Sequence, residues 1–478
     1  MNIPLSVFCT GRLRVLSAVA LGAAVAEFLA LPALAQTCPN PPPPVIDSSR
    51  PPADVCIPGD FPHNENPIAF FDDYSWRAFI AMVWPAAQNQ RGVPDASKKV
   101  GTVSGPLVFE TYKADWEVFQ PDGQSPSPWD HFGDVPTNPC QADLKNPGPD
   151  DLILASTSKF QNLGEAGFGN LVGPLVAQNR TYVRYTVSFN KSEFAEILGG
   201  QLFLRKNLAN GVTFPDGSID LKTSWIDMTN IPKPERFYTR KAWVMDLTTE
   251  RCSVTTVGLV GMHIVQKTHS RPQWIWSSFE HVDNVPQSTP PNIGPTTFNS
   301  GDGRAMPDRN PYAFPPPEIV PPPFNVDRVK PINSSTVQTN TAYRNALKDT
   351  IWANYELVMT QWPVKADDPT LSGMPANTFP GTIGQSSAFA NTTMETFDQR
   401  SVFNSACMRC HTLVQTALAQ KKTDFLWSLE INAFPPAPSI VTASALGAPR
   451  TAALAVTPGS ETLRQLKALL EGSAPAQK

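Results

Sequence analysis

The chain has 478 residues, a formal net charge of -4 and 17% charged residues. This length allows two or three domains with a large buried core, and the lack of a basic field argues against nucleic acid or an anionic membrane surface as a partner. Proline, with 50 residues, is about twice as frequent as in an average protein, which favours long ordered loops because the aromatic residues are numerous enough to fill a core.

The N-terminus is typical of a secretory signal peptide. Arg12 and Arg14 precede an apolar run, and Ala33-Leu34-Ala35 is a small-residue cleavage site. Glu27 interrupts the apolar run, which is shorter than the roughly 20 residues that cross a bilayer. We therefore expect residues 1–35 to be removed by cleavage after Ala35, export to the periplasm, and a mature chain without a membrane span.

The next segment, residues 36–66, is rich in proline and predicts an extended strap. A β-rich domain is predicted over residues 67–284. It opens with a helix over Ser75–Val83, since apolar residues recur there on one helical face, and Asp72 and Asp73 are the predicted caps of that helix.

Seven runs rich in β-branched and aromatic residues follow in this domain. They are Leu107–Val118, Leu152–Ser156, Thr181–Phe189, Gln201–Leu208, Arg236–Leu247, Cys252–Lys267 and Gln273–Phe279. Because few helices are available between them for parallel crossovers, these runs predict a large, mostly antiparallel sheet or a sandwich.

The last two runs are rich in histidine and tryptophan. They predict a hairpin that turns at Ser270–Pro272 and brings His263, His269 and His281 near one another. Such a cluster is a candidate for acid–base catalysis, for haem contact, or for a second metal bound by histidine and carboxylate. The competing interpretation is a sheet edge whose polar groups are simply hydrogen-bonded.

The C-terminal part of the chain has a different pattern. Residues 285–340, dense in proline, predict a linker between domains, with a surface strap as the alternative. Helical periodicity from Leu347 to Trp362 predicts a helical haem-binding region over residues 341–434. Residues 435–478 predict a proline- and alanine-rich tail with a terminal helix. The expected fold class is α+β, a large antiparallel β domain with short helices plus a C-terminal helical c-type haem region.

The most specific pattern is the CxxCH motif of Cys407, Cys410 and His411. Two thiols at this spacing reach the two vinyl groups of one porphyrin, and the adjacent histidine presents its imidazole to the iron. A thioredoxin-type redox pair would follow a strand of a βαβ unit, whereas this motif leads into a predicted helix. We expect one covalent haem c, with His411 as the proximal ligand.

The distal ligand is left open by the sequence, because neither methionine nor histidine follows His411. The sixth coordination position of the haem iron is therefore filled by a residue upstream of the motif or is open to solvent or substrate. The upstream candidates are Met359, Met374, Met394, His263, His269 and His281.

Four cysteines remain once Cys9 has left with the signal peptide and the haem motif is set aside. Cys38, Cys56, Cys140 and Cys252 are an even number, which in an oxidising compartment predicts two disulfides. We favour Cys38–Cys56 and Cys140–Cys252 among the three possible pairings. A four-cysteine zinc site is the alternative, but these residues contain no CxxC pair.

Four stretches beside the CxxCH motif carry a resemblance to a known family. Ser75–Phe79, Gly261–Lys267, Gln273–Asn284 and Asn391–Phe397 resemble exported monohaem bacterial proteins of the cytochrome c family. The resemblance covers nearly all of the mature chain. It implies a haem protein and no particular substrate.

These observations predict an exported redox protein that passes electrons between its haem and a redox partner protein or a small-molecule substrate. The first alternative is a haem enzyme with an open distal site, peroxidase- or oxygenase-like, with His263, His269 or His281 as the acid or base. The second alternative is a haem-based binding or sensing module.

Overall fold

A computed structural model describes the parts of the chain from which the fold can be built. They are residues 37–38, 57–60, 68–136, 140–145, 147–154, 173–246, 249, 251–286, 295–312, 319–363, 383–384, 391–400, 407–408, 411 and 423–435. The predicted signal peptide and the C-terminal tail beyond residue 435 lie outside them. None of the helices in these ranges is both long and apolar enough to cross a membrane.

The helices are mostly short. They are α1 (Ile68–Met82), α2 (Asp115–Val118), α3 (Cys140–Asp143), α4 (Lys191–Gly199), α5 (Ser334–Ala346) and α6 (Trp427–Asn432). The helix predicted at Ser75–Val83 is confirmed as the second half of α1. Asp72 and Asp73 are not its caps, since apolar residues extend the helix upstream of them. Both carboxylates are buried and accept hydrogen bonds, Asp72 from Thr360 and Asp73 from Tyr343.

Most of the strands join one sheet. The strands are β1 (Thr37–Cys38), β2 (Ile57–Pro58), β3 (Lys113–Ala114), β4 (Leu152–Leu154), β5 (Arg184–Phe189), β6 (Ile219–Asp227), β7 (Thr239–Met245), β8 (Cys252–Thr268), β9 (Arg271–His281), β10 (Tyr355–Pro363) and β11 (Ile383–Gly384). β1 and β2 pair with each other, and the rest follow the order β11-β10-β9-β8-β6-β5-β3, with β7 beside β8 and β4.

The pairing within this large sheet is antiparallel except between β4 and β7, so the sheet is mixed. With its short helices this agrees with the α+β class. Two predicted strands are wrong. Leu107–Val118 forms a 3₁₀ turn, β3 and α2, because Glu110 and Glu117 accept backbone N–H groups and curl the chain. Gln201–Leu208 leads into a 3₁₀ helix at Arg205–Asn210.

The helical periodicity from Leu347 to Trp362 is also misleading, because Tyr355–Pro363 is the strand β10. All nine residues of β10 are buried, and a strand covered on both faces has no alternation by which sequence could distinguish it from a buried helix. The helical character expected for the C-terminal region is therefore wrong over these residues. β10 pairs with β9, so this part of the region extends the β sheet.

Alternate residues of the central strands face opposite sides of the sheet. On one side, Ser75 of α1 hydrogen-bonds to Ser277 and Thr360 at 2.7 Å each, and we call this the α1 face. The other side carries Trp276, whose ring lies 4.3 Å from that of His411, and we call it the His411 face. Residues 391–400 also cover the His411 face, where the Asn391 amide donates to Ser278.

Candidate functional site

The imidazole of His411 is held by one backbone group. Its Nδ1 lies 2.6 Å from the backbone oxygen of Phe425. Because a carbonyl oxygen can only accept, Nδ1 carries the proton and donates it, which leaves the lone pair on Nε2. This is the tautomer in which a histidine ligates a metal through Nε2.

The loop that supplies this carbonyl is fixed by the β8–β9 hairpin. Lys267 forms a buried ion pair with Asp424, and the indole Nε1–H of Trp274 donates to the Asp424 backbone oxygen at 3.0 Å. Asp424 and Phe425 both have positive φ, a conformation that non-glycine residues rarely adopt. These contacts hold the strained loop in place and so aim the Phe425 carbonyl at His411.

Burial also sets the charge of the His411 ring. The pKa of His411 is lowered to about 4, chiefly by desolvation and to a lesser extent by the nearby His263 and Lys222, against the raising effects of the Phe425 hydrogen bond and Glu395. The imidazole is therefore neutral near pH 7. Only the neutral form has a lone pair to give to a metal.

The start of the motif is anchored on the sheet. Met408 is fully buried, and its backbone N–H donates to the side-chain oxygen of Gln361 in β10 at 3.3 Å. Cys407 is half-buried and packs against the main hydrophobic cluster. Cys410 lies outside the described residues. The described part of the motif fits a c-type haem, because it offers a neutral, correctly tautomerised imidazole beside a partly accessible thiol.

A second polar group lies on the His411 face. His263 of β8 is paired with Ser278 of β9 and with Lys222 of β6, and its Nε2 lies 3.5 Å from the Glu395 carboxylate. Burial raises the pKa of Glu395, but the adjacent His263 and Lys222 outweigh it and hold this pKa below its usual value. The face that carries Trp276 thus also holds an imidazole, an anion and a cation.

The other two histidines of the predicted cluster lie elsewhere. The hairpin is confirmed, but it turns one residue earlier than predicted, with Thr268 paired to Arg271. His269 is in the turn, 90% exposed, beside Asp216. His281 lies at the opposite end of β9. The prediction that the three histidines come together is therefore wrong, because a long hairpin separates its turn from its open end.

His281 has a structural environment. Its Nε2 donates to the Arg236 backbone oxygen at 2.9 Å, its Nδ1 accepts the Asp283 backbone N–H at 3.1 Å, and its ring stacks on Phe237 at 3.7 Å. Desolvation lowers the pKa of His281 to about 4. Because both ring nitrogens of His281 form hydrogen bonds, this histidine has a structural role.

The methionine candidates for the distal position are dispersed. Met394 is buried in a hydrophobic cluster with Phe397 and Phe324. Met359 of β10 is paired with Ser278, which places it on the His411 face near His263. Met374 lies outside the described residues.

The predicted disulfides stay predictions. Asp143 of α3, the helix that begins at Cys140, accepts the backbone N–H of Cys252 at 2.6 Å, so α3 lies against the start of β8. β1 and β2 pair Cys38 with Pro58. The side chain of Cys56 is outside the described residues.

Sequence reasoning misses four of the groups that build this site. Lys222 lies in β6, whose alternation of apolar with polar residues is a usable strand signal. Glu395 falls within a stretch noted only for its resemblance. Trp276 was expected in a strand but not beside His411, and nothing local marks Phe425 as the acceptor for that histidine.

No protein-family model, curated protein or solved structure matches this chain. Within the described ranges, no three side chains of histidine, cysteine, aspartate or glutamate are placed to hold a metal ion. The hypothesis of a second metal at His263 and a carboxylate therefore has no support there, and the functional argument depends on the His411 site.

Proposed function

We propose that this chain is an exported c-type cytochrome with one covalent haem, attached through Cys407 and Cys410 and ligated by His411. Its function is electron transfer to or from a redox partner protein or a small-molecule substrate. The observation that carries the proposal is the Nδ1–H hydrogen bond from His411 to Phe425, which leaves Nε2 available to iron. A bound haem supplies one-electron chemistry.

The residues around His411 serve to position it. The Phe425 carbonyl holds the ring orientation, and the Lys267–Asp424 pair holds the loop that carries this carbonyl. Trp276 packs against the ring, which itself remains partly exposed. Such surrounding contacts fix the orientation of a ligand, and a fixed ligand geometry favours electron transfer.

Visible spectra of protein matured with the haem-attachment machinery test this proposal. We expect a low-spin spectrum that carbon monoxide does not change. His411→Ala should keep the covalent haem and alter the spectrum, because the thioethers persist while the axial ligand is lost. Met408→Leu is the matched control, because Met408 lies inside the motif but is not one of the proposed haem-binding residues. This variant should leave the spectrum unchanged. A wild-type protein without haem would overturn the proposal.

A haem enzyme is the second candidate, and the His263–Glu395 pair favours it. This pair lies on the same sheet face as Trp276 and places an imidazole nitrogen 3.5 Å from a carboxylate oxygen, a combination of groups that general acid–base catalysis uses. High-spin iron that binds carbon monoxide would select this candidate over an electron carrier.

Turnover with peroxide or oxygen provides the test of that role. If His263 transfers protons, His263→Gln should lower turnover by about 100-fold or more. His269→Gln, which changes the exposed histidine of the turn, is the control and should be neutral. Equal activities of the two variants would exclude His263 as the acid or base.

We infer periplasmic localisation from the signal-peptide pattern of residues 1–35. N-terminal sequencing of exported protein should begin at Gln36. A mature protein that begins at Met1 would contradict export by this route.

A further inference from the structure

A cavity of about 70 Å³ lies away from His411, on the α1 face of β5 and β6. Thr186 of β5 and Leu221, Thr223 and Trp225 of β6 line it. Lys222, between two of these residues, points to the opposite, His411 face. Since one water needs about 10–15 Å³ of such space, the cavity has room for about five to seven non-hydrogen atoms.

Two buried polar atoms on its lining residues lack hydrogen-bond partners. They are the indole Nε1–H of Trp116, a residue 8% exposed, and Oε1 of Glu110, whose side chain is 3% exposed. The other oxygen of Glu110 is fully used, since it accepts from the Leu107 backbone and from Tyr238, at 2.8 Å each, and from Arg240. A buried donor and a buried acceptor without partners are each costly, and such groups are usually hydrogen-bonded. Both residues line this one cavity.

The buried charges around the cavity are paired. Arg91 lies 2.6 Å from Glu117, and Arg240 lies 3.2 Å from Glu110, with all four side chains largely buried. Of the other carboxylates in its lining, Asp134 pairs with Lys113 at 3.1 Å and Asp151 is exposed to solvent. An added ion would find no free counter-charge in these pairs and would lose its hydration, which disfavours charged ligands, and anions most of all because Asp151 also lines the cavity. The rings of Phe109 and Trp225, 6.2 Å apart and nearly parallel, supply apolar wall.

We propose that this cavity is a binding site for a small neutral molecule that carries both a carbonyl and an adjacent hydroxyl or amide N–H. Trp116 donates its indole N–H to the ligand carbonyl, and Oε1 of Glu110 accepts the ligand hydroxyl or N–H. Small primary amides and hydroxyketones are the class that fits. Desolvation raises the pKa of Glu110, which agrees with an oxygen placed to meet a neutral group. The site does not depend on the proposed haem.

Calorimetric titration of the full mature chain with propionamide and with hydroxyacetone tests the site. We expect saturable binding with a Kd on the order of 1 mM, the range for so few atoms. Propionate should not bind, because it brings an unpaired charge, and butanone should bind more weakly, because it lacks the donor for Glu110.

The Trp116→Phe variant keeps an aromatic side chain, although a smaller one, and removes the N–H, so propionamide affinity should fall by about tenfold. Trp243→Phe is the matched control, because Trp243 packs in the same hydrophobic cluster as Trp116 but does not line the cavity. Failure of wild type to bind either probe, or equal affinity of Trp116→Phe and wild type, would overturn the proposal.

A direct measurement serves if Trp116→Phe does not fold. In wild type labelled at the indole nitrogens, propionamide should shift an indole N–H resonance along a saturable curve, and propionate should not. If propionamide shifts none of the indole N–H resonances, the proposal is overturned.

Discussion

The geometry at His411 shows how one backbone oxygen sets the chemistry of a side chain. Phe425 accepts the Nδ1 proton, and burial keeps the ring neutral. The same low-dielectric interior acts on other ionisable groups in this protein. Asp72 is fully buried in α1, and desolvation raises its pKa to about 7 from 3.8 despite hydrogen bonds that oppose the shift.

This shift makes stability depend on pH. Because the folded pKa of Asp72 is the higher one, the folded state holds a proton that the unfolded state has released between about pH 4 and 7. Stability should therefore fall as the pH rises through this window, by up to about 4 kcal/mol for this group. Asp72→Asn removes the titration. The free energy of unfolding of the variant, measured with denaturant, should therefore increase relative to that of wild type as the pH rises from about 4 to 7. Parallel pH curves for the two proteins would contradict this.

At the scale of elements, β9 is the strand on which the rest of the His411 face is assembled. Glu280 of β9 is fully buried, forms an ion pair with Arg328, and accepts from the Thr392 backbone at 3.0 Å and hydroxyl at 2.9 Å. This one carboxylate thus ties two distant segments of the chain to the sheet.

Removal of the Arg328 charge should therefore be costly. Arg328→Met leaves the Glu280 carboxylate buried without this cation, and we expect a loss of about 3–5 kcal/mol in the free energy of unfolding. Arg304→Met is the control, because the side chain of Arg304 is 65% exposed in its pair with Asp302. Arg304→Met should lower the free energy of unfolding by less than about 1 kcal/mol. Similar losses in the two variants would refute the role of Glu280 as a buried anchor.

The strands that sequence predicts best are those with one consistent signal. β8 and β9 combine β-branched and aromatic residues with clear turn residues, and both were predicted within a few positions. β6 was missed because Asp220 and Lys222 break its apolar run, although they alternate with buried residues as a half-exposed strand requires. The sequence predicts a helix where β10 lies, because burial on both faces removes that alternation.

At the scale of the whole molecule, the sheet brings together residues that are far apart in sequence. The CxxCH motif can be recognised from five adjacent residues, since the haem attachment that we propose is local chemistry. Its surroundings could not, because Trp276, Lys267 and Phe425 meet His411 or its loop only through strand register and loop packing. The position of His263 relative to His281 likewise depends on the length of a hairpin.

This dependence predicts the behaviour of a shortened chain. A protein that ends at residue 340 lacks β10, which pairs with β9 over six residue pairs from Tyr355 with His281 to Gln361 with Trp276. β9 would become an exposed, apolar sheet edge, and such edges promote aggregation. We expect this fragment to aggregate in size analysis, whereas the full mature chain remains monodisperse. A monodisperse fragment would show that β10 is dispensable.

We propose that a porphyrin is joined covalently to the C-terminal region of this protein. Intact mass measurement of protein co-expressed with the haem-attachment machinery tests it most directly. We predict the mass of the chain from Gln36 plus one haem, retained under denaturing conditions and lost when Cys407 and Cys410 are both changed to serine. A wild-type mass equal to that of the polypeptide alone would contradict the claim.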